Sequence, residues 1–307
     1  ALGCGPLYIK RDDLTPLGLG GNKTRKLEFL LGDALAGGAD TLVTVGGVQT
    51  NHGRLTAAAA AKAGLACTLV LDGARPEKLS GNLLLDCLLG ASLVYTDRRS
   101  ASAVIEETLA ALQAAGRAPY FIPEGGSNAV GSAGYLAMVP ELLAQADSLP
   151  VPPARLVCTM GSLGTFAGLW LGARAFGAPF SVTGVAVNPT TGYTREKAAA
   201  LVNEMSAAYG LDIAAAPEDM DIIYADAAHD YAGPGYNVPD AKTRGAVELL
   251  ARTEGIFLDP CYTAKSFRGF CDIARELDGG AIFVHTGGTP ALWTQEHLDA
   301  FAADYWN

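Results

Sequence analysis

The 307-residue chain has few cysteines and few clusters of any metal-binding kind. Its six cysteines (Cys4, Cys67, Cys87, Cys158, Cys261, Cys271) are scattered, with no Cys-x-x-Cys pair and no histidine at ligand spacing among only four histidines. That pattern excludes a disulfide framework or a zinc module and fits free thiols in a reducing compartment. No run of about eighteen apolar residues is present, which excludes a transmembrane helix. No charged-apolar-small leader opens the chain, although Ala1 is not an initiator methionine, so a segment removed ahead of it is expected. Basic residues are also in deficit, 22 against 32 acidic, for a net charge of −10. Nucleic acid and anionic membranes need clustered positive charge, so the expected partner is a small molecule and the expected location the cytoplasm.

Apolar residues, by contrast, make up 50% of the chain, enough for a large core. Short β-branched runs alternate with alanine-rich amphipathic stretches, the pattern of parallel strands joined by helical crossovers. The first series places strands at 41–45, 67–71, 92–95 and 119–122 and helices at 55–63, 81–89 and 103–115. A second series places strands at 155–158, 181–187 and 281–284 and helices at 165–175, 194–209 and 241–252, after the proline-rich link Leu149–Pro153. Two α/β lobes with a cleft between them are expected.

Lys23 stands in Gly20-Gly-Asn-Lys-Thr-Arg-Lys-Leu-Glu28, where a glycine pair predicts a tight turn ahead of a helix-forming stretch. Such a lysine can act as a Schiff-base nucleophile, whereas most glycine-flanked lysines are solvated turn residues. Three other segments bear on that choice. Gly46-Gly-Val-Gln-Thr-Asn-His52 follows a strand and precedes a helix, so its amides and the Thr50 and Asn51 side chains can hold a carboxylate. A helix cap would account for one of these polar residues, not four in succession. His52 reads either as an acid or base or as a structural histidine. Thr159-Met-Gly-Ser-Leu-Gly-Thr165 is a second strand-to-helix turn, suited to a phosphate. It lacks both the Walker ending and Gly-x-Gly-x-x-Gly, which disfavours ATP and dinucleotides. His285-Thr-Gly-Gly-Thr289 follows a third strand, and Tyr236 and Tyr262 each come from a glycine- or proline-rich loop.

An amine, a phosphate-type loop, a carboxylate-type loop and paired tyrosines without a metal set match the needs of pyridoxal 5′-phosphate: an amine for its aldehyde, a phosphate site, a partner for its ring nitrogen and a clamp for the amino-acid carboxylate.

Across nearly its whole length the sequence resembles the fold-type II, tryptophan synthase β-like pyridoxal-phosphate enzymes. Within them it is similar to the D-cysteine desulfhydrase and 1-aminocyclopropane-1-carboxylate (ACC) deaminase group. The resemblance runs through Tyr8-Ile-Lys-Arg-Asp-Asp13, Gly20–Glu28, Val48–His52, Gly81-Asn-Leu-Leu-Leu85, Gly125-Gly-Ser127, Gly233-Pro-Gly-Tyr236, Leu258-Asp-Pro-Cys-Tyr-Thr-Ala-Lys265 and His285–Gly288. It implies two open twisted parallel sheets, a large cofactor domain of residues 1–30 and 138–307, a small α/β domain of 31–137, and a homodimer.

By that likeness Lys23 would hold the cofactor as a Schiff base, and Lys26 would reach its phosphate. Gly161, Ser162, Leu163, Gly164 and Thr165 would cup the phosphate, and Asn51 would bond the phenolic oxygen. Thr50, Asn51 and the His52 amide would hold the substrate carboxylate, Tyr236 and Tyr262 would face the substrate, and Thr286 would touch the ring nitrogen. Thr50, Tyr236 and Tyr262 would join Lys23 in catalysis.

The implied reaction is α,β-elimination on a small β-substituted amino acid, foremost D-cysteine to pyruvate, sulfide and ammonia. L-cysteate sulfo-lyase and ACC deaminase are the alternatives within the group, and a non-catalytic pyridoxal-phosphate carrier is the alternative outside it. Two departures bear on the choice. ACC deaminases carry a glutamate after the tyrosine equivalent to Tyr262, where this chain has Thr263. The family serine is here Thr50, whose extra methyl is expected to crowd the pocket.

Overall fold

A computed structural model describes residues 3–188, 192–226 and 228–306; Ala1, which prompted the expectation of a missing leading segment, lies outside them. Among the described residues nine strands form two sheets, and every pairing is parallel. The smaller sheet has the order β4-β3-β2-β5, built from β2 (Thr41–Gly47), β3 (Ala66–Asp72), β4 (Ser92–Thr96) and β5 (Pro119–Ile122). The larger has the order β1-β9-β6-β7-β8, from β1 (Leu7–Arg11), β6 (Pro153–Met160), β7 (Ser181–Ala186), β8 (Ile222–Ile223) and β9 (Gly280–His285).

The helices are α1 (Asn22–Ala36), α2 (Asn51–Ala63), α3 (Gly81–Leu88), α4 (Ala101–Ala114), α5 (Ala129–Leu136), α6 (Met138–Ala146), α7 (Gly164–Ala175), α8 (Arg195–Ala208), α9 (Ala241–Glu254), α10 (Thr263–Arg275) and α11 (Gln295–Trp306). The strands and helices expected from the hydrophobic pattern are all present, with ends shifted by up to four residues. The pattern did not mark β1, β8, α5, α6, α10 or α11. Residues 129–146, ahead of the proline-rich link, form α5 and α6 and pack against α7 of the second series.

Central strands read as continuous apolar runs because helices cover both faces of a parallel sheet. In β6, for example, Leu156 to Met160 are all buried. One face of the larger sheet packs on α5, α7 and α8 around Phe166, Trp170 and Met205, the other on α9 and α10 around Phe267, Phe270 and Phe283. Helix α7 is buried from Gly164 to Ala173, apolar all round as a core helix is. It lies so close to α5 that a Cβ on Gly168 would sit 2.4 Å from the Ser132 carbonyl oxygen.

Each sheet reverses its winding once, between β2 and β5 in the smaller and between β6 and β9 in the larger. Crevices beyond the carboxyl ends of strands at such reversals are where open α/β sheets bind ligands. Both reversals open onto one cavity of about 700 Å³.

Candidate active site

Lys23 lies inside this cavity, though not on the turn the glycines suggested. The turn is made by Gly20 (φ 69°) and Gly21 (φ 125°), and Lys23 is the second residue of α1. A Cβ on Gly20 would fall 2.0 Å from the Asp13 carbonyl oxygen, so only glycine fits there. The helix start is stitched down by Gly21 N–H to Asp12 O at 2.9 Å and Asn22 N–H to Thr286 O at 3.0 Å. Burial pushes the Lys23 amine down from 10.5 to about 8, against the pull of the Glu124 carboxylate. Its Nζ makes no hydrogen bond among the described residues, which leaves it available for a covalent partner.

Lys26, one turn on, is fully buried behind the glycine-rich loop. Its Nζ donates to Gly125 O at 3.0 Å and to Ser127 Oγ at 3.1 Å, and burial together with the Lys23 charge pushes it well below the usual lysine range. Ser127 Oγ in turn donates to Ser162 Oγ at 2.9 Å and accepts from Gly164 N–H at 3.2 Å. A relay of two hydroxyls thus connects Lys26 to the loop that precedes α7. No acidic side chain stands in the first turn of α7, whose amides have no intrahelical partner. Thr165 Oγ accepts from Asn22 Nδ2 at 3.0 Å, tying this helix start to that of α1. Gly161 is fixed by shape, since a Cβ there would lie 2.7 Å from the Tyr262 ring. Leu163 is buried in the core, leaving its backbone for the loop.

Asn51 opens α2 at a third corner. Its Oδ1 accepts from Arg54 Nη1 at 3.1 Å and from Asn82 Nδ2 at 2.9 Å. Arg54 also donates to Asn82 Oδ1 at 2.7 Å and to Gly20 O at 2.9 Å, and Asn82 Nδ2 donates to Gln49 O at 2.8 Å. Thr50 caps α2 by accepting from Gly53 N–H at 3.2 Å. Its extra methyl does not crowd the cavity as expected. It points at Gly53 and Gly46, whose missing Cβ atoms would lie 2.4 and 3.1 Å from it.

His52 lines the cavity, yet its ring is turned inward, with Nε2 2.8 Å from Thr44 Oγ1. Burial and the two lysine charges push its pKa well down, which keeps the ring neutral beside Thr44, with Nδ1 buried and without a partner among the described residues. Thr263 also fails to face the cavity: it is fully buried, and its hydroxyl donates to Asp259 Oδ1 at 2.6 Å. Thr286 does line the cavity, directly after β9. His285 beside it is structural, its Nε2 3.0 Å from Phe257 O and its Nδ1 accepting from Gly287 N–H at 3.2 Å.

Tyr262 and Tyr236 form the remaining wall, rings edge-on with centroids 5.7 Å apart and planes at 70°. Burial pushes both phenols up, and the Tyr262 hydroxyl bonds that of Tyr236. Buried Asp259 orients Tyr262 by accepting its N–H at 2.9 Å. Lys265 holds the other loop through Ala232 O at 2.6 Å and Gly235 O at 2.8 Å, next to Tyr236.

Four residues of this architecture went unassigned on sequence alone. Asn82 and Asp259 lie within the Gly81–Leu85 and Leu258–Lys265 motifs, whose spacing gives neither a role. Arg54 carried a signal of another kind, a lone arginine in an alanine-rich helix, which if buried must be paired. Glu124 was findable only from its place just beyond a strand end.

No group of three or more histidine, cysteine, aspartate or glutamate residues suited to a metal occurs among the described residues. What the cavity offers is an unbonded low-pKa amine, a helix start backed by a buried lysine, a second helix start with a free amide, and a neutral hydroxyl opposite. Those donors suit the groups that pyridoxal phosphate presents, an anionic phosphate, an aldehyde and a ring with hydrogen-bonding atoms.

Comparison with known proteins agrees. A family model described as pyridoxal-phosphate dependent enzyme matches residues 1–287. The chain is 41% identical over 297 residues to a D-cysteine desulfhydrase of Yersinia enterocolitica, covering 94% of this chain and 88% of the relative. It is 40% identical over 292 residues to a Pyrococcus abyssi protein provisionally named 1-aminocyclopropane-1-carboxylate deaminase, covering 94% and 86%. A crystal structure of an ACC deaminase homologue superposes with a TM-score of 0.87 at 36% identity, over 98% of this chain and 89% of the other.

Proposed function

This chain belongs to the pyridoxal-phosphate dependent enzymes, and from that premise we propose that it cleaves the β-substituent from a small amino acid, with D-cysteine as the principal substrate. D-cysteine and water would give pyruvate, hydrogen sulfide and ammonia. The observation that carries the reading is the Lys23 amine, pushed down to about 8 and free of hydrogen bonds, in a cavity that two helix starts and a tyrosine pair share.

Bound pyridoxal phosphate supplies an electron sink conjugated to the substrate's α-carbon. The backbone and hydroxyls of Gly161, Ser162, Leu163, Gly164 and Thr165, with Lys26 behind them, would hold its phosphate. Asn51 would donate its free Nδ2 to the ring hydroxyl oxygen. Thr50, Asn51 and the His52 amide would clamp the substrate carboxylate at the start of α2. Lys23 would hold the cofactor through Nζ and, once the substrate amine has displaced it, act as a base beside the α-carbon. Tyr236 and Tyr262, both held protonated, would donate a proton to the departing sulfur.

A neutral hydroxyl such as that of Thr286 would, at the ring nitrogen, favour elimination of a good leaving group over cyclopropane opening, which calls for a stronger sink. Thr263 adds nothing there, its hydroxyl being engaged by Asp259. We also read the protein as a cytoplasmic homodimer with a large domain of residues 1–30 and 138–307 and a small one of 31–137. All six cysteines are free, which supports the location, and exposed Leu84, Leu88 and Trp293 supply apolar surface for a second copy. No helix among the described residues is long and apolar enough to cross a membrane.

The test is to incubate the cofactor-loaded protein with D-cysteine, L-cysteine, L-cysteate and ACC and to measure pyruvate, sulfide, sulfite and 2-oxobutyrate. Pyruvate and sulfide in equal amounts, fastest from D-cysteine, are expected. Turnover of none of the β-substituted amino acids would overturn the reading.

A further inference from the structure

Glu124 has no part in the chemistry above, and yet it lines the same cavity. It sits in the 3-10 turn Glu124–Gly126 just beyond β5, and that turn is firmly held. Gly126 N–H donates to Pro123 O at 2.8 Å, and the Gly125 carbonyl oxygen accepts from Lys26 Nζ at 3.0 Å. Gly125 (φ 68°) is pressed against the reaction centre, since a Cβ there would lie 2.7 Å from Ser162 Oγ and 3.5 Å from Lys23 Nζ. The carboxylate next to it is therefore presented to the substrate space by rigid backbone. Across the cavity the Tyr193 hydroxyl donates to Glu124 Oε2 at 3.3 Å. Its field reaches Lys23, Tyr193 and Tyr236, so it lies among the groups that would surround a substrate's side chain.

Among the described residues no cation forms an ion pair with Glu124, although its field reaches Lys23. Of the cavity's charged groups, Arg98 stands 4.0 Å from Asp72, which leaves Lys23 and Lys78 against Glu77, Glu124 and Glu296. The sites for negative charge are elsewhere, at the starts of α7 and α2, and both would be filled by the cofactor phosphate and the substrate carboxylate. A second anion on the β-carbon would have to face the carboxylates.

We propose that Glu124 is a specificity-determining residue that restricts this cavity to amino acids whose β-substituent carries no negative charge, such as a thiol or a halide, and rejects sulfonates and carboxylates. The inference rests on the lyase reading for its substrate class but is tested by binding, independently of turnover. Glu124 is itself exposed, so water screens part of its repulsion, and the effect expected on an anionic side chain is on the order of tenfold in binding.

The cofactor-loaded protein would be titrated with alanine and with aspartate, each in both hands, by following the cofactor's visible absorbance. The same titration would be made on Glu124→Gln and Glu124→Ala. Wild type is expected to bind alanine at least tenfold more tightly than aspartate of the same hand, and both variants are expected to narrow that gap to within threefold by tightening aspartate. An equal gap in wild type and both variants, or no preference for alanine in the wild type, would overturn the proposal. In parallel, pyruvate release from 3-chloroalanine reports on the lyase reading alone. Its absence would overturn that reading while the binding gap still decides the role of Glu124.

Discussion

The guanidinium of Arg54 donates to the side-chain oxygen of Asn51 at 3.1 Å, and this bond fixes which end of Asn51 meets the ligand. With Oδ1 engaged by Arg54 and Asn82, the amide nitrogen is left for the cavity. Arg54 also grips the Gly20 carbonyl, in the turn that launches Lys23. One buried cation therefore ties the turn that precedes Lys23 to the start of α2 at Asn51.

Replacing Asn82 by alanine tests this link without touching the ligand. The change strips Arg54 of its 2.7 Å acceptor and frees Asn51 to rotate. A buried donor left unpaired costs about 1–3 kcal/mol, so a loss of stability of that order is expected by denaturant titration. Misplaced positioning should lower kcat/KM by roughly 10- to 100-fold and shift the cofactor's absorbance. An unchanged absorbance spectrum would show that Asn51 does not depend on the network.

Lys23 makes a prediction about pH. Only the neutral amine attacks an aldehyde, and burial has brought the group down to about 8. Uptake of pyridoxal phosphate by the apo-protein, followed by absorbance, should quicken about tenfold per pH unit below that value and level off above it. Lys23→Arg should abolish both the visible band and this pH dependence. A rate still climbing steeply at pH 10 would mean that the amine keeps an ordinary lysine pKa.

Why these relationships were only partly legible in the sequence follows from how each is encoded. Strand-to-helix turns carry local signals, glycines and hydroxyl residues at a strand's end, so Lys23, Thr50, Asn51, Ser162 and Thr286 all stood out. The fold was legible for the same reason, from alternation of β-branched and alanine-rich runs. Side-chain direction is not local. His52 follows Asn51 by one residue, yet one points into the core and the other into the cavity, because the start of α2 rotates successive residues by about 100°. Thr263 stands where ACC deaminases carry a glutamate, but Asp259, four residues earlier, accepts from both its N–H and its hydroxyl and turns it away from the cavity. Arg54 and Asn82 meet across 28 residues of sequence, a pairing that no periodicity reveals.

Asp86 should limit the stability of the protein at neutral pH. It is fully buried on α3, neither carboxylate oxygen has a hydrogen-bond partner among the described residues, and burial pushes it up from 3.8 to about 7 despite the Arg54 charge. With a folded pKa above the unfolded one, the native state holds a proton that the unfolded chain has released. Stability then falls as pH rises from about 4 through 7 and is flat above that. Asp86→Asn removes the ionisation, so it should leave stability nearly unchanged at pH 4 and add roughly 3–4 kcal/mol at pH 8. Denaturant midpoints for both proteins at the two pH values check this, and an equal difference at both would refute the assignment.

Thr50 and Gly53 should be energetically coupled, for the methyl of one occupies the space that a Cβ on the other would need. The two would stand 2.4 Å apart, and Leu69 closes the same space at 3.4 Å. In the wild type, Gly53→Ala should therefore overpack the start of α2 and cost about 1–3 kcal/mol. Thr50→Ser keeps the hydroxyl cap and vacates only the methyl position, at a cost of about 1 kcal/mol. Made together, the two changes should cost less than Gly53→Ala alone, because alanine fills the vacated space and is a better helix former than glycine by up to about 1 kcal/mol. Thr50→Ser should also leave kcat/KM within about threefold, since the methyl points away from the substrate. A double-mutant cycle on unfolding free energy, with kcat/KM measured on the same four proteins, tests both halves. Additive stability changes would place the methyl elsewhere, and a large gain in activity from serine alone would return it to the cavity.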